Sequence, residues 1–266
     1  MNDATGHHVD LMPGPGLPIQ PGRKLASGRD ADVFEVGDGQ VLRRNRVPTK
    51  TSELEAEIMR YARSQGYPVP AVYEVSGPDM VMERVDGPTM LADIIRRPWM
   101  TWRHARTLAR LHGRLHRIAA PSWVPKYTDL KVFADAAPSV RPAEAAFETL
   151  LHLDLHPDNV ILSPRGPAVI DWRNTRRGDG AIDVATTWLI MATSEVPMSG
   201  LTGQLVNLIR HLFVFGLLHY SDRAAATHQI PTVAHYRLAD ANLLPSERPA
   251  IEALARRIAA PSRLLH

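Results

Sequence analysis

The sequence predicts an α+β protein with two lobes: a small antiparallel sheet carrying one helix, then a larger, mainly helical lobe. Residues 23–86 contain short alternating runs separated by glycine-rich turns, which is typical of β-strands. After residue 87, apolar residues recur at helical spacing over long segments. We therefore expect a flexible leader over 1–22, an N-terminal lobe over 23–86 and a C-terminal lobe over 87–266.

The composition is that of a globular protein with a large core. The chain has 266 residues, of which 44% are apolar and 22% charged. It has no cysteine, which excludes disulfides, thiolate zinc sites and a cysteine nucleophile, and fits a reducing, cytoplasmic location. The leader lacks the basic and apolar regions of a signal peptide.

Charge and hydropathy argue against nucleic acid or a membrane as a partner. The pI is about 9.4, but the formal net charge is only +3 and the arginines are dispersed without interleaved aromatic residues. The most apolar stretch, 205–218, is interrupted by Arg210 and His211 and is shorter than the roughly 18 residues of a membrane span. We expect a small-molecule partner, and the oligomeric state stays open.

The N-terminal lobe is predicted to be a sheet interrupted by one helix. Residues 31–36 alternate and run into Gly37-Asp38-Gly39, a hairpin turn signal. The helix begins with Ser52 and Glu55 at the spacing of a capping box. The predicted elements, after an initial strand, are strands 31–36 and 40–46, helix 51–64, and strands 71–75 and 80–83.

The C-terminal lobe is predicted to be mostly helical, with one hairpin. Proline breaks the segment 119–142, which we leave unassigned. The hairpin is predicted from two apolar runs, 160–162 and 168–170, that flank Pro164-Arg165-Gly166. The predicted helices cover 89–97, 101–118, 183–193, 201–220 and 246–259.

The most informative stretch is His-Leu-Asp-Leu-His-Pro-Asp-Asn at 152–159, followed by Asp171 after an apolar run. Asp154 in such a loop can accept a proton from an attacking alcohol, although alone it would be read as a turn residue. Asn159 and Asp171 follow at the spacing of the residues that hold Mg²⁺ against ATP phosphates in kinases. We predict Asp154 as the catalytic base and Asn159 and Asp171 as metal ligands.

The same stretch allows an alternative from another class of enzyme. His152, Asp154 and His156 alternate and could converge on a transition metal, with His112 and His116 as further ligands, giving a metal-dependent hydrolase. The helical pair lacks the glutamate of H-E-x-x-H, which weakens this alternative. His152 is otherwise expected to pack beneath the loop. A downstream acid, Asp183, is expected to cap the next helix or brace this loop.

A weaker pattern suggests a phosphate-binding region in the N-terminal lobe. The backbone amides of Ser27 and Gly28 lie between two predicted strands and could contact phosphate. Arg43 occupies the third strand where a kinase has lysine, and arginine can also pair with phosphate. Glu55 could pair with Arg43, with Glu57 as the fallback partner.

The sequence H-L-D-L-H-P-D-N-V-I-L followed by V-I-D-W resembles the aminoglycoside phosphotransferase family, which is related to choline kinases and more distantly to protein kinases. The resemblance covers about residues 24–218. It implies a bilobal protein-kinase-like fold that binds ATP and Mg²⁺, with Asp154 acting on the substrate hydroxyl and Asn159 and Asp171 binding the metal. It also implies that adenine meets a linker made of Met82, Glu83, Arg84 and Val85.

The substrate expected from charge is not a polycation. Residues 191–266, where this family binds its substrates, contain seven arginines and five acids. A site for aminoglycosides should be rich in carboxylates, so we expect a neutral or anionic small molecule with a hydroxyl group. Arg43 in place of lysine leaves a second possibility, a nucleotide-binding relative with weak or no catalysis.

Overall fold

The computed structural model describes residues 19–28, 30–47, 51–195, 200–240 and 243–259. The chain divides into two compact units. The first contains the chain up to Arg63 together with Pro70–Val85, and the second contains Ser64–Val69 and everything from Asp86 onward. Of the predicted leader, residues 1–18 lie outside the described part of the chain.

The first unit is a five-stranded antiparallel sheet in the order β1-β2-β3-β5-β4, with one helix. The hairpin between the second and third strands turns at Asp38 and Gly39, both of which have positive φ (48° and 70°). This left-handed backbone explains why glycine and aspartate stand there. The elements are β1 (Lys24–Ser27), β2 (Ala31–Gly37), β3 (Gln40–Asn45), α1 (Glu53–Ser64), β4 (Val72–Ser76) and β5 (Asp79–Glu83).

Helix α1 is attached to the sheet by buried polar side chains as well as by its apolar face. The Ser52 hydroxyl accepts a hydrogen bond from Asn45 Nδ2 (2.9 Å) and lies 3.3 Å from the Pro78 carbonyl oxygen. Glu55, expected in a capping box, pairs with Arg43 of β3. The residues that α1 buries include Ala56, Ile58, Met59 and Ala62.

The second unit is mainly helical and has two short antiparallel strand pairs. Its centre is the helix Gly180–Thr193, in which every residue from 182 to 189 is buried, as expected for a helix that is apolar on all sides. The helices are α2 (Met90–Arg96), α3 (Thr101–Leu115), α4 (Gly180–Thr193), α5 (Gly200–His219), α6 (Arg223–Leu238) and α7 (Arg248–Ala259). The strand pairs are β6 (Thr149–Leu151) with β9 (Arg176–Gly178), and β7 (Val160–Ser163) with β8 (Gly166–Val169).

Helix α6 was not predicted from the sequence, because Pro231 stands inside it and its apolar residues show no clear helical stripe. An interior proline costs about 3 kcal/mol in an isolated helix. Here Ile230 and Val233 are fully buried in the core of the second unit, and that tertiary burial offsets the cost. The unassigned segment 119–142 contains two short 3₁₀ turns, Lys131–Phe133 and Pro138–Val140.

Helix α5 is the one helix in the described ranges that is long and apolar enough to cross a membrane by length and composition. The apolar run read from the sequence is interrupted at Arg210, whereas the mean hydropathy along the helix is high enough for a membrane span. Core helices of soluble proteins pass the same test, so this is weak evidence of a membrane span. Only 28% of the most apolar window is buried.

Candidate active site

The loop 152–159 connects β6 to β7 and is held in an unusual backbone conformation. Leu153 has φ of 61°, a left-handed value that costs a residue other than glycine about 1 kcal/mol or more. Its side chain is buried, and its N–H donates to Asp183 Oδ1 at 2.6 Å. The buried side chain and this hydrogen bond together stabilise the left-handed conformation of Leu153. The next residue, Asp154, is partly exposed.

Asp183 braces this loop from helix α4. Its fully buried carboxylate accepts the N–H groups of His152 (3.1 Å) and Leu153 (2.6 Å). Burial by itself raises the pKa of Asp183, but hydrogen bonds from His112 and His116 outweigh it and hold the pKa well below its ordinary value. Asp183 is thus a buried anion on which the loop is anchored.

The cap of helix α4, the other role considered for Asp183, belongs to Asp179. Asp179 Oδ1 accepts the N–H of Ala181 at 2.9 Å, and its Oδ2 accepts from Gln229 Nε2 at 3.2 Å. The two acids therefore have separate tasks: Asp179 starts the helix, and Asp183, one turn later, holds the loop.

The histidine pair of α3 belongs to the same buried network. His116 Nε2 lies 3.1 Å and His112 Nδ1 3.5 Å from Asp183 Oδ2. His112 Nε2 lies 3.1 Å from the Thr187 hydroxyl, which donates to the Leu155 carbonyl (2.8 Å). The three groups His112, His116 and Asp183 are close enough to hold a metal ion, but each takes part in this hydrogen-bond network.

The alternating residues of the loop do not converge as the hydrolase alternative requires. His152 is buried, donates from Nε2 to the Ile170 carbonyl (3.0 Å) and packs edge-on against Trp172, at 4.9 Å between ring centroids. His156 turns instead to Asp154, with 3.4 Å between Nε2 and Oδ1. His152 thus has the structural role expected of it.

Asp154 is a positioned, ionised carboxylate. Its side chain is 25% exposed. Asn159 Nδ2 donates to its carbonyl oxygen at 2.8 Å and lies 3.3 Å from its Oδ2. Burial raises the pKa of Asp154, but His156, His152 and Arg237 outweigh it and lower the pKa below its usual value. The group is therefore unprotonated near neutral pH and free to accept a proton.

The β7–β8 hairpin brings Asn159 and Asp171 together. The N–H of Ile170 donates to the Asn159 carbonyl at 3.0 Å, so Asp171 follows directly beside the backbone of Asn159. Asp171 is exposed and has φ of 63°. Because Asn159 Nδ2 donates to Asp154, the amide oxygen is the atom of this side chain that can bind a metal ion. An amide oxygen and an exposed carboxylate are the hard ligands that fit Mg²⁺.

In the first unit, Arg43 and Glu55 form a largely buried ion pair. The distance from Arg43 Nη1 to Glu55 Oε2 is 2.9 Å, and the side chains are 11% and 7% exposed. The pairing considered from the sequence is therefore present, while Glu57 is exposed. Such a pair fixes the guanidinium on β3.

The turn after β1 is organised by its own hydrogen bonds. The Gly28 amide donates to the Ala31 carbonyl at 2.9 Å, so in this structure the turn uses a group that we expected to be available for phosphate. The Ser27 hydroxyl bonds Asp32 at 2.7 Å and accepts from Arg46. Arg46 and Ser27 hold the pKa of Asp32 well below its usual value.

The segment 82–85 leaves the sheet at the end of β5. Met82 is buried, and the Glu83 N–H donates to the Ala71 carbonyl at 2.8 Å. The Arg84 guanidinium donates to Glu35 at 2.6 Å, and Val85 is the last residue of the first unit. All four residues are in the described chain: Met82 and Glu83 end β5, and Arg84 and Val85 follow it.

One cation that acts electrostatically on Asp154 was not predicted from the sequence. Arg237, at the end of α6, lowers the pKa of Asp154 and is paired with Asp240 at 2.7 Å. The adjacent Tyr236 has its pKa raised by burial, and it also responds electrostatically to Asp154 and Arg176. No motif marks these positions, and their helix was itself unpredicted.

Solved structures share this fold. The aminoglycoside phosphotransferase APH(4)-Ia superimposes with a TM-score of 0.61 at 17% identity, over 90% of this chain and 94% of its own. A streptomycin-ATP-APH(2")-IIa complex gives 0.56 at 15% identity, over 85% and 87%. A choline/ethanolamine kinase family protein from Mesorhizobium loti gives 0.55 at 17%, over 94% and 88%. The predicted kinase-like α+β fold is confirmed.

Comparison at the level of sequence gives the family. A search of curated proteins found no match. The model described as the phosphotransferase enzyme family matches residues 21–137 and 125–220, which together make up most of the chain and include both the β-sheet unit and the 152–159 loop. With fold and sequence model in agreement, this chain belongs to the phosphotransferase enzyme family.

Proposed function

We propose that this protein is an ATP- and Mg²⁺-dependent kinase that transfers the γ-phosphoryl group to a hydroxyl of a small molecule. The observation that carries the proposal is Asp154, an ionised and partly exposed carboxylate held by Asn159, while the exposed Asp171 follows Ile170, whose N–H bonds the Asn159 carbonyl. Proteins of this fold have been solved with ATP or AMP-PNP bound. We place the enzyme in the cytoplasm, where ATP is supplied.

Asp154 acts as the base for the substrate hydroxyl. The hydroxyl oxygen forms a bond to the γ-phosphorus, the bond between that phosphorus and the β–γ bridging oxygen breaks, and ADP leaves. The hydroxyl proton passes to an Asp154 carboxylate oxygen. Asn159 and His156, at 3.3 and 3.4 Å from the two carboxylate oxygens, hold the base in place.

Asn159 and Asp171 would hold Mg²⁺, which neutralises negative charge on the phosphates when bound. The hydrogen bond between Ile170 and Asn159 sets the relative position of the two ligands, because it closes the hairpin at their own backbones. Trp172 secures the other side of Asp171: it is buried and donates from Nε1 to the Val169 carbonyl at 3.0 Å.

The nucleotide is proposed to contact the first unit through Arg43 and the segment 82–85. Glu55 orients Arg43, and a guanidinium has five N–H donors, so a phosphate can be bound while that pair persists. Ser27 and Gly28 are the further phosphate contacts that we propose, and the Gly28 amide would first have to leave Ala31.

The substrate is proposed to be neutral or anionic. Residues 191–266 contain seven arginines and five acids, which disfavours a polycation. Arg237 of this region lowers the pKa of Asp154 electrostatically while it is itself paired with Asp240 at 2.7 Å and Glu247 at 3.9 Å. The segment after Trp172 adds Arg173, and β9 adds Arg176 and Arg177, of which Arg177 is paired with Glu148 at 2.6 Å. The aminoglycosides bound by the related structures are therefore not the expected substrates of this chain.

A second candidate is a kinase-like nucleotide-binding protein with weak catalysis. The observation behind it is Arg43, which stands where the family has lysine. A metal-dependent hydrolase, the third possibility, is disfavoured because the histidines it would need bind within the protein.

The test is ADP release from Mg²⁺-ATP with separate pools of neutral, anionic and cationic alcohols. The Asp154→Asn variant should lose substrate-stimulated release and keep ATP binding. Asp158→Asn, an exposed acid of the same loop, is the matched control and should retain activity. ATP binding without release in any pool would favour the second candidate, and no ATP binding would refute the kinase proposal.

A further inference from the structure

Helix α5 presents a continuous apolar stripe to solvent. Its large side chains at positions 201, 205, 208, 212 and 215 are between 46% and 85% exposed. All are leucine except the last, Phe215, and His219 continues the line. We call these six positions the α5 stripe. Single exposed leucines are ordinary, but a continuous patch of this size marks an interaction surface.

The spacing along the α5 stripe is that of a helix-pairing seam. Successive members are separated by 4, 3, 4, 3 and 4 residues. At 100° per residue they fall within a band about 80° wide. A narrow seam with alternating steps of four and three is the a/d pattern by which one helix packs on another. The opposite face is already buried through Phe213, Gly216 and Leu217.

The stripe is extended by aromatic residues and carries no charge. Trp102 of α3 packs against Phe215 at 5.9 Å and donates from Nε1 to the Tyr220 hydroxyl at 3.0 Å. Trp102 and Tyr220 are 40% and 38% exposed. The charged residue of α5, Arg210, donates to the Ser194 carbonyl at 2.6 Å and so points to its own chain. The six positions of the α5 stripe therefore include no lysine, arginine or acid, and Arg106 of α3 lies next to the stripe, over the Tyr220 ring at 5.4 Å.

We propose that the α5 stripe is the interface through which two copies of this chain form a dimer. The spacing reads the same in both directions about residue 210, so antiparallel helices related by a two-fold axis pair 208 with 212, 205 with 215 and 201 with 219. The exposed parts of these side chains, with Trp102 and Tyr220, amount to roughly 600 Å² per copy. A pair would bury about 1,200 Å², the lower end of stable interfaces.

A second copy fits this surface better than a membrane does. Helices that lie in a membrane interface carry lysine and arginine along their polar edge. The edge of the α5 stripe is lined by uncharged Gln204 and Asn207 and by His211. The helix cannot be surrounded by lipid either, because its other face packs in the second unit.

The test is the oligomeric state of the full-length chain by light scattering over a range of concentrations. The wild type should have twice the mass of one chain, and Leu208→Glu should be a folded monomer by circular dichroism. Thr202→Glu places the same charge on the same helix about 100° from the stripe and should remain dimeric. A wild type that is monomeric throughout, including one that binds anionic vesicles, overturns the proposal. So does a dimer that Leu208→Glu leaves intact in folded form.

Cysteine crosslinking tests the same interface independently of Leu208→Glu, and it remains informative if that variant does not fold. The chain has no cysteine, so any disulfide that forms must join the introduced cysteines. Oxidation should link the double variant Leu208→Cys/Leu212→Cys into a covalent dimer and leave Thr202→Cys unlinked. Linkage of Thr202→Cys with none through the stripe would overturn the proposal.

Discussion

Replacing Asp183 by asparagine tests whether a buried anion holds the candidate catalytic loop. The variant keeps the size of the side chain but removes the charge and turns one acceptor oxygen into a donor. The N–H groups of His152 and Leu153 both donate to this carboxylate, at 3.1 and 2.6 Å. An amide can keep one of these bonds and must present its own N–H₂ to the other.

The expected loss of stability follows from these contacts. Each hydrogen bond to a buried charged group contributes about 1.5–3 kcal/mol, and a buried N–H left without an acceptor costs about 1–3 kcal/mol. His116, 3.1 Å from the same carboxylate, loses its anionic partner as well. We expect the free energy of unfolding to fall by about 3–5 kcal/mol, a large share of the 5–15 kcal/mol typical of a domain.

Urea unfolding at several pH values measures this effect. The pKa of Asp183 lies below its ordinary value, so the carboxylate stabilises the fold above the ordinary range, about pH 4, and this contribution is lost as the pH falls towards the folded pKa. Asparagine does not titrate. The difference in stability between wild type and variant should therefore be largest near neutral pH and shrink below about pH 4.

Asp179→Asn is the matched control for Asp183→Asn. Asparagine is as good an N-cap as aspartate, so the bond to Ala181 persists. Its amide nitrogen then faces Gln229, whose own amide can turn to accept, so stability should change by less than about 1 kcal/mol. Equal effects of the two substitutions, or an Asp183→Asn protein as stable as wild type at neutral pH, would refute the claim that the Asp183 carboxylate holds the loop 152–159. ADP release should fall with Asp183→Asn even under conditions where the variant is fully folded.

Two further predictions concern the ion pair and the metal ligands. Glu55→Gln removes the carboxylate that pairs with the largely buried Arg43 and should lower the free energy of unfolding by about 3 kcal/mol. The control Glu57→Gln changes an exposed residue and should alter it by less than about 0.5 kcal/mol. Equal urea midpoints for the two variants would contradict this. Asp171→Asn should weaken ATP binding by about tenfold or more in the presence of Mg²⁺ and leave metal-free binding unchanged, because the carboxylate acts through the cation. Calorimetry with and without Mg²⁺ measures both affinities, and an equal loss in the two conditions would argue against a metal ligand.

Patterns in the local sequence were sufficient to predict most of the strands and helices. Alternation along β2, followed by the Asp38-Gly39 turn, predicted a hairpin with β3 because side-chain period and turn geometry are properties of a few consecutive residues. Most helix positions were predicted to within a few residues for the same reason. Helix α6 was missed because Pro231 opposes it locally and only burial of its neighbours compensates.

The residues of the candidate site were likewise predictable from local sequence, whereas the contacts that support them were not. The spacing of Asp154, Asn159 and Asp171 lies within one loop and one hairpin, so the sequence by itself determined which residues could form it. Their support comes from far along the chain: Asp183 holds the loop from about 30 residues away, and Arg237 approaches Asp154 from a helix without a motif. Burial and long-range electrostatics depend on which segments pack together, and only the tertiary structure decided that.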